Sequence, residues 1–381
     1  MLSPCLRGID GIISPMTKST LITGADGYLG RRIAQILLKQ EDARLILWVR
    51  AADASAFENK RARLAGDLLH DQGQVEYRWG DLAGDAPFDD IDPKSILRII
   101  HTAAVTRFNV DQDTARRVNI EGTDKLLRFA GRCDSLERLG FLSTIYASGL
   151  HSGPIPETTL DDAGFANNYE SSKWAAERLL AAKYDRLPWR IFRIATAIAD
   201  NSDGQVTQYN AVHNTLQLLY YGLISTMPGN PETPLYLVTG DFVANAVCSL
   251  MDSPREERIF HLAHRREQSL TLDQFITLVF QVFESDDFFR KRRTPRPLYV
   301  DEKSFELLHS ALGAFAGGVV NQAMDSVAPF ARQLFITKEV LNANLIAALG
   351  RDPAPDPSAV VAGACRHLIR TKWGRERTGA A

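Results

Sequence analysis

The chain has 381 residues and little of what marks secreted, metal-binding or membrane proteins. Its four cysteines (Cys5, Cys133, Cys248 and Cys365) lie far apart, so no two have the spacing of a metal site or a redox pair. No uninterrupted apolar run approaches the ~18 residues that a transmembrane helix needs. The N-terminal segment contains prolines and an acid but no apolar core, which argues against a secretion signal. We therefore expect a cytoplasmic protein with no transmembrane segment and no bound metal.

An excess of charge of either sign is also missing. Lys and Arg number 44 and Asp and Glu number 46, which gives a net charge of −2. A protein-wide positive field that would attract nucleic acid is therefore absent, and aromatic residues do not alternate with basic ones in a way suited to stacking on bases. Apolar residues make up 45% and charged residues 24%, which is typical of a globular protein and excludes a disordered chain or a fibre.

The first half of the chain alternates short β-branched segments with longer amphipathic ones. The short segments are apolar at consecutive positions, as expected for strands that are covered on both faces. Strand, helix and strand in repeated order predict an α/β fold, a doubly wound Rossmann-type parallel sheet with helices on both faces. The predicted strands are 19–23, 45–49, 75–79, 97–101, 138–142 and 189–193, and the main predicted helices are 28–40, 114–133 and 170–184.

After residue 200 the pattern is interrupted by loops and becomes mostly helical. We predict loops at 201–208 and 227–234, a last strand at 259–263, and a basic, proline-containing segment at 290–297. This pattern predicts a smaller, mostly helical C-terminal cap that binds substrate. The predicted organisation is an N-terminal extension (1–17), a dinucleotide-binding domain (18–205, completed by about 235–265) and a substrate-binding cap (206–234 and 266–381).

A glycine-rich segment joins the first predicted strand to the first predicted helix. At this junction Gly24 permits a tight turn, Gly27 lets backbone N–H groups approach a pyrophosphate, and Gly30 lets the helix pack close to the strand. The pyrophosphate then lies at the positive end of the helix dipole. The segment predicted to bind the dinucleotide consists of Gly24, Ala25, Asp26, Gly27, Tyr28, Leu29 and Gly30.

Arg50 follows the second predicted strand, about 20 residues after the glycines, and predicts which dinucleotide binds. An acid at this place binds the ribose 2′-hydroxyl of NAD, whereas an arginine accommodates the 2′-phosphate of NADP. The sequence therefore predicts NADPH as the cofactor, and Arg63 is a second candidate for the phosphate. Asp81 and Leu82 follow the third strand, where the aspartate either accepts a hydrogen bond from the adenine amino group or forms an ordinary turn.

Tyr169 and Lys173 lie four residues apart near the start of a predicted helix. This spacing places both side chains on one helix face. Ser143 and Thr144 end a predicted strand about 25 residues earlier, at the sheet edge where ligands of such folds bind. Together with the glycine-rich segment, these residues are candidates for a reactive site beside the dinucleotide.

The motifs, in this order, resemble the extended short-chain dehydrogenase/reductases. The resemblance covers roughly residues 18–200. It rests on the glycine-rich segment at 24–30, Asp81-Leu82, His101-Thr102-Ala103-Ala104, Asn119, Phe141-Leu142-Ser143-Thr144, and Tyr169 with Lys173.

Within that superfamily the chain is similar to the thioester reductases. These are the reductase domains of carboxylic acid reductases and nonribosomal peptide synthetases, and the fatty acyl-CoA reductases. The similar segments are LWVRA at 47–51, IIHTAAVTRFNV at 99–110, VNIEGT at 118–123 and YESSKWAAE at 169–177. The chain departs from the sugar epimerases, in which Arg-Pro usually follows the sixth strand, because Ile194 follows Arg193 here.

The resemblance implies a role for each motif residue. Tyr169 would donate a proton to the carbonyl oxygen, and Thr144 would hydrogen-bond the same oxygen. A shift of the pKa of Tyr169 from about 10 towards 7 requires roughly 4 kcal/mol of preference for the anion, of which Lys173 would supply part while also binding the nicotinamide ribose. Asn119 would hold the active-site backbone and a water. The residues implied to line the cofactor at the end of the fourth strand are Thr102, Ala103 and Ala104.

The implied function is NADPH-dependent reduction of an acyl thioester to an aldehyde, and in a second round to an alcohol. One alternative is a reductase, epimerase or dehydratase that acts on a ketone, a hydroxyl or a nucleotide sugar. A non-catalytic NADP-binding regulator is a second alternative, but it has no need of the intact Thr144, Tyr169 and Lys173.

The acyl donor is expected to arrive in trans, on a carrier protein or on coenzyme A, because the chain shows no adenylation or carrier segment. The basic residues at 290–296 are either a docking patch for such a donor or a solvated loop. Aromatic residues of the second half either line an acyl pocket or belong to the cap core. They are Tyr209, His213, Tyr220, Tyr221, Phe315 and Phe330.

Overall fold

The structure, a computed structural model, describes residues 18–40, 42–68, 72–314, 328 and 330–375. The N-terminal extension predicted at 1–17, Cys5 and Phe315 lie outside the described residues. The strands are β1 (Ser19–Thr23), β2 (Leu45–Arg50), β3 (Val75–Gly80), β4 (Ile96–His101), β5 (Arg138–Thr144), β6 (Gly153–Ile155), β7 (Trp189–Ile194), β8 (Thr196–Ala199), β9 (Thr226–Pro228), β10 (Pro234–Leu235), β11 (Leu237–Thr239), β12 (Ile259–Leu262), β13 (Leu270–Thr271), β14 (Leu298–Val300) and β15 (Lys338–Val340). The helices are α1 (Tyr28–Leu37), α2 (Ala54–Leu68), α3 (Gln112–Ala115), α4 (Gly122–Ala130), α5 (Asn168–Lys183), α6 (Ala211–Tyr220), α7 (Gly240–Asp252), α8 (Leu272–Phe283), α9 (Asp287–Arg292), α10 (Glu302–Ala314), α11 (Ala343–Leu349) and α12 (Pro357–Arg370).

Seven parallel strands form the central sheet in the order β12-β7-β5-β4-β1-β2-β3. The strand β1 pairs with β2 on one side and with β4 on the other, so the direction of winding reverses between β1 and β4. Thr23 lies beside His101 at the carboxyl end of this pair. Ligands of doubly wound sheets bind at such a reversal. The arrangement confirms the predicted Rossmann-type fold and each of its predicted strands, with only the strand ends shifted.

Helices cover both faces of the sheet, which explains why its strands are apolar at consecutive positions. On one face Ile33 of α1 and Val247 of α7 are buried in a core with Ile22 and Leu47 of the sheet. On the other face α4 and α5 contribute a core of their own, which includes Leu126, Ala176 and Leu180. The catalytic candidates on α5 therefore sit on a helix that is fixed along its length against the sheet.

The helix predicted at 114–133 is divided in the structure. The α-helices α3 and α4 flank a π-helical turn over Arg116–Glu121. This wider turn contains Asn119, whose side chain is buried. π-Helical turns insert one extra residue per turn and occur frequently at functional sites. The hydrophobic periodicity of the sequence did not predict the π-helical turn at Arg116–Glu121.

The second half of the chain builds a further core outside the sheet. Its helices α6, α8 and α12 bury apolar side chains against one another, and Tyr220, Phe283 and Trp373 lie in ring contact at its centre. The C-terminal region is therefore mostly helical, as predicted.

Two segments differ from their sequence predictions. The predicted loop at 227–234 contains most of β9, which pairs with β14, and the first residue of β10, which pairs with β13. The basic segment at 290–297 begins inside helix α9, where Arg290 pairs with Asp287 and Arg292 donates to the carbonyl of Tyr221. The short strands were missed because distant segments supply their hydrogen-bond partners, whereas the start of α9 is set locally by Asp286, whose side chain accepts from the N–H groups of Phe288 and Phe289.

Candidate active site

The glycine-rich segment between β1 and α1 is packed too closely for side chains. Gly24 has φ +68°, and a Cβ there would lie 2.8 Å from the backbone of Ala103. A Cβ on Gly30 would lie 2.4 Å from the carbonyl oxygen of Gly24. Both glycines are therefore required by the path of the backbone, and they bring the start of α1 against the end of β4.

The N-terminus of α1 is suited to an anion. Gly27 caps the helix with extended backbone, and no side chain of the described residues accepts from the N–H groups of its first turn. These N–H groups have no intrahelical partner, and the helix dipole favours negative charge there. The pyrophosphate of a dinucleotide fits this place without displacing any cap.

A cleft of about 600 Å³ opens at the carboxyl ends of β1, β2, β4 and β5. All predicted site residues line it except Ala25 and Asn119. The side chain of Ala25 is fully buried and its N–H donates to Trp48, so it belongs to the floor of the turn. The predicted residues in the lining are Gly24, Asp26, Gly27, Tyr28, Leu29, Gly30, Arg50, Asp81, Leu82, Thr102, Ala103, Ala104, Thr144, Tyr169 and Lys173.

Asn119 lies behind the cleft wall and fixes its backbone. Its Oδ1 accepts from the N–H of Val105 at 2.8 Å, and its Nδ2 donates to the carbonyl of Val105 at 2.9 Å and to Ser172 Oγ at 2.9 Å. The prediction that Asn119 holds the active-site backbone agrees with this placement, but its assignment as a cofactor contact does not. It ties the segment after β4 to helix α5.

Charged groups lie at the end of the cleft formed by β2 and α2. Arg50 is exposed at the end of β2, where it can meet a 2′-phosphate. Lys60 of α2 also lines the cleft and pairs with Asp26 at 2.6 Å, whereas Arg63 is not part of the lining. The second positive group is therefore Lys60, which the sequence pattern alone did not separate from the other cations of the same exposed helix.

Tyr169 and Thr144 meet at the centre of the cleft. The hydroxyl of Thr144 hydrogen-bonds the phenol of Tyr169, and burial raises the pKa of Tyr169 above its usual value. Tyr169 therefore remains protonated at neutral pH, which is the state that a proton donor requires. A substrate oxygen beside this pair would meet two hydroxyl groups.

Lys173 is buried next to the same pair, one helical turn along α5. Its Nζ donates to the carbonyl of Leu142 at 2.7 Å and lies 4.1 Å from the ring centre of Phe141. Burial lowers the pKa of Lys173 to about 7. Besides burial, the groups that shift the pKa of Tyr169 are Thr144, Glu170 and Glu177, and the lowering of this pKa by Lys173 stays a prediction.

A buried ion pair holds α5 on the sheet. Arg193 of β7 and Glu177 of α5 are both almost fully buried, with Nη2 and Oε2 2.7 Å apart. Ser143 of β5 donates to the same carboxylate, and Arg193 also donates to the carbonyls of Pro156 and Thr158. The pair thus fixes the helix that carries Tyr169 and Lys173 relative to the strand that carries Thr144.

A second buried network joins α5 to the C-terminal region. Glu170, next to Tyr169, accepts from Gln333 Nε2 at 2.9 Å, and burial raises its pKa to about 7. Lys338 Nζ donates to Ser148 Oγ at 3.0 Å and to the carbonyls of Gly149 and His151. Burial lowers the pKa of Lys338 to about 8. Gln333 lies 163 residues along the chain from Glu170, and Lys338 lies 190 residues from Ser148, so no local pattern could have found these contacts.

Three aromatic rings form the far wall of the cleft. Phe108, Tyr146 and Phe330 lie 5.6 to 6.0 Å apart, and Phe108 also contacts Tyr169 at 5.7 Å. Phe330 therefore belongs to the site, whereas Tyr220 and Tyr221 belong to the C-terminal core and His213 caps α6. Tyr146 follows Thr144 by two residues, and this proximity is the one sequence signal that could have identified it.

His101, at the end of β4, is a structural residue. It is fully buried with its Nδ1 2.7 Å from Thr23 Oγ1, and burial together with Lys173 lowers its pKa to about 3. It remains neutral in the folded protein, whereas the unfolded chain protonates a histidine near pH 6.5.

The free energy of unfolding is therefore expected to fall as the pH is lowered from about 6.5 towards 3, because the unfolded state then binds a proton that the folded state excludes. His101 alone contributes about 1.4 kcal/mol for each pH unit in this window. Urea unfolding over that pH range, with His101→Asn compared with the same change at exposed His151, tests this. The slope against pH should decrease for His101→Asn only, and an unchanged slope would contradict a neutral buried imidazole.

In the described part of the chain, no helix is both long and apolar enough to cross a bilayer, and no cluster of three His, Cys, Asp or Glu side chains is placed to hold a metal. The cysteines described, Cys133, Cys248 and Cys365, are free and buried.

The winding of the parallel sheet reverses beside a glycine-rich turn, and a tyrosine, a lysine and a threonine face the same cleft. These features define an extended short-chain dehydrogenase/reductase. The chain belongs to the NAD-binding family described as "Male sterility protein", whose model matches residues 22–247. The cleft is accordingly a site for a nicotinamide dinucleotide.

The chain is similar to a carboxylic acid reductase and to a lipopeptide synthase, over part of the length of each. It is 28% identical to carboxylic acid reductase of Mycobacterium tuberculosis over 308 residues, which is 69% of this chain and 26% of that protein. It is 29% identical to isonitrile lipopeptide synthase of Streptomyces coeruleorubidus over 211 residues, 52% of this chain and 14% of that protein. The chain thus corresponds to about a quarter or less of these two relatives. The terminal R domain from the myxalamid PKS-NRPS biosynthetic pathway has the same fold, with a TM-score of 0.72, 20% identity and coverage of 93% of this chain and 91% of that one.

Proposed function

We propose that this protein is an NADPH-dependent reductase of acyl thioesters that releases an aldehyde. The observation that carries the proposal is the meeting of Thr144, Tyr169 and Lys173 in a dinucleotide cleft that continues past Tyr146 and Phe330 into apolar surroundings. The relatives named above include a carboxylic acid reductase and a peptide synthase, and both names fit an acyl substrate.

The residues of the chain act on the substrate oxygen. The dinucleotide, when bound, supplies the hydride that forms the new C–H bond at the carbonyl carbon. Thr144 donates a hydrogen bond to the carbonyl oxygen as negative charge develops, and Tyr169 transfers its proton to that oxygen. The hemithioacetal then loses a thiol as its C–S bond breaks, and the carbonyl re-forms as an aldehyde. A second hydride and proton would give the alcohol.

Lys173 has a positioning role in this scheme as well as a contact with the cofactor. Its Nζ is held by Leu142 at the end of β5, next to Thr144. This bond keeps the ammonium at the ribose end of the cleft and in line with Tyr169 on the same helix face. The hydrogen bond to the end of β5 therefore fixes Lys173 relative to Tyr169 and Thr144 before substrate binds.

The substrate is proposed to be an acyl group carried on coenzyme A or on a carrier protein. NADPH oxidation with paired donors tests this: acyl-CoA and carrier-bound thioesters on one side, ketones and UDP-sugars on the other. Turnover should occur with thioesters, with aldehyde or alcohol detected as the product. Turnover with ketones alone would overturn the thioester assignment, and conversion of UDP-sugars without net oxidation of NADPH would favour the epimerase alternative.

The preference for NADPH is expected to depend on Arg50. Arg50→Asp should lower kcat/KM for NADPH by about tenfold or more and shift preference towards NADH, because a carboxylate repels the 2′-phosphate and accepts from a 2′-hydroxyl. Arg63→Asp is the matched control, since Arg63 is exposed on α2 but does not line the cleft. Steady-state kinetics with both cofactors measures the effect. Equal shifts in the two variants would remove Arg50 from cofactor recognition.

A further inference from the structure

A second, narrower pocket opens from the far wall of the dinucleotide cleft. It shares Tyr146, Thr196, Val212 and Phe330 with the cleft, so the two spaces lie on either side of the same side chains. Beyond them its walls are mainly apolar and come from the C-terminal region, with Met227, Leu237 and Phe275 among the lining residues. A chain attached to a carbonyl beside Tyr169 can continue into this pocket.

One polar atom in this lining is buried without a partner. Gln333 is almost fully buried, and its Oε1 has no hydrogen-bond partner among the residues that the structure describes. The carbonyl of Gly149 sets the orientation of the amide, because this oxygen can only accept and lies 3.2 Å from Gln333 Nε2, which also donates to Glu170 Oε2 at 2.9 Å. A flipped amide would place its oxygen against both of these oxygens.

The neighbouring polar groups of the pocket are satisfied within the protein. The hydroxyl of Tyr236 donates to the carbonyl of Lys338 at 2.9 Å and accepts from the N–H of Val340 at 3.0 Å. Thr233 donates to the carbonyl of Leu334 at 2.8 Å. The ammonium of Lys338 already donates to three oxygens in the segment after β5. Gln333 Oε1 thus differs from these neighbours as an acceptor that is left for a ligand.

We propose that this pocket binds the acyl chain of the thioester and that Gln333 Oε1 accepts a hydrogen bond from a neutral donor on that chain, such as a hydroxyl. The proposal rests on the proposed function and specifies its substrate class. An unpaired buried acceptor is costly, so a ligand that supplies a donor gains relative to a plain alkyl chain. A site built around a hydrogen bond discriminates strongly against analogues that lack the donor.

The charges around the pocket favour a neutral donor. The ammonium of Lys338 and the carboxylate of Glu170 interact with each other, so a charged chain would lose its water in this pocket without gaining a free counter-charge. A carboxylate would also face the lone pairs of Gln333 Oε1. A hydroxyl avoids both conflicts, since it is uncharged and donates directly to the oxygen.

The test compares acyl-CoA thioesters that differ only by one hydroxyl. Each plain straight-chain substrate from butanoyl to octanoyl is paired with a series of its monohydroxylated derivatives, in which the hydroxyl occupies successive positions along the chain. At one position the hydroxylated substrate should have a kcat/KM about tenfold higher than its plain partner in the wild-type protein. Gln333→Met should abolish this ratio, whereas Thr233→Val, which removes a hydroxyl already bonded within the protein, should retain it.

A ratio that survives in Gln333→Met, or a uniform loss of activity on both members of each pair, would overturn the assignment, since Gln333 would then act only through Glu170 and α5. Thr215→Phe adds a ring on the lining of the pocket and should lower kcat/KM for octanoyl more than for butanoyl. Equal effects on the two chain lengths would show that the chain lies elsewhere.

A binding measurement distinguishes failure of the proposed function from failure of this inference. Thermal shift with NADP⁺ present compares straight-chain alkanols with diols that carry the same second hydroxyl. If no thioester is reduced but a diol binds more tightly than the alkanol in the wild type and not in Gln333→Met, the pocket assignment stands and the thioester assignment fails. If thioesters are reduced with no preference at any hydroxyl position, the Gln333 assignment fails and the proposed function stands.

Discussion

Replacement of Tyr169 by phenylalanine is expected to lower kcat by about a hundredfold to ten-thousandfold while leaving the affinity for NADPH nearly unchanged. General acid catalysis by a positioned side chain contributes a factor of this size. The phenol is the acid in the cleft whose pKa burial holds above its usual value, and Thr144 hydrogen-bonds it. Phenylalanine retains the ring contact with Phe108 but has no proton to give.

The matched control is Tyr184→Phe, the same substitution at the C-terminal end of the same helix. Tyr184 donates to Asp124 on the surface and is remote from the cleft, so turnover should not change. Single-turnover reduction of a thioester and titration of NADPH fluorescence separate the two effects. Full activity of Tyr169→Phe would remove the phenol from the chemistry, and weakened NADPH binding would indicate a structural role instead.

Replacement of Arg193 by methionine is expected to produce the largest loss of stability, about 3–5 kcal/mol. Removing one member of a buried ion pair leaves the other charge uncompensated in a medium of low polarity. Glu177 would then retain only the hydrogen bond from Ser143, and two carbonyls after β6 would lose their donor. Because the pair joins α5 to the sheet, the loss should also lower kcat through misplacement of Tyr169.

Arg255→Met serves as the comparison, since Arg255 pairs with Glu257 on the surface and such exposed pairs contribute little. Urea unfolding followed by circular dichroism measures both variants. The double variant Arg193→Met with Glu177→Leu should recover part of the stability, because no unpaired charge remains. An effect of Arg193→Met as small as that of Arg255→Met would show that the buried pair does not hold the helix.

The sequence predicted the parts of the site that belong to short continuous segments. Gly24, Gly27 and Gly30 are required by one tight turn, and the four-residue spacing of Tyr169 and Lys173 follows from one helix. Such features depend on local geometry, so they can be recognised without knowing what lies opposite. The same holds for Arg50, which follows directly from the end of β2.

The residues that the sequence could not assign are those whose partner is distant. Lys60 resembles the other cations of α2 until the fold brings it to Asp26, and Phe330 resembles the other aromatic residues of the second half until it lies beside Phe108. Asn119 was assigned to the cofactor because motif order does not show which side of a loop a side chain occupies.

The sequence by itself determined the parallel sheet and the dinucleotide turn and predicted which residues react, because each depends on periodicity or spacing within one or two elements. Only the tertiary structure decided what surrounds them: that Tyr169 is buried beside Thr144, that Arg193 fixes α5, and that Gln333 reaches α5 from a remote segment. Burial and electrostatics depend on distances between segments far apart in the chain, and these distances exist only once the chain has folded.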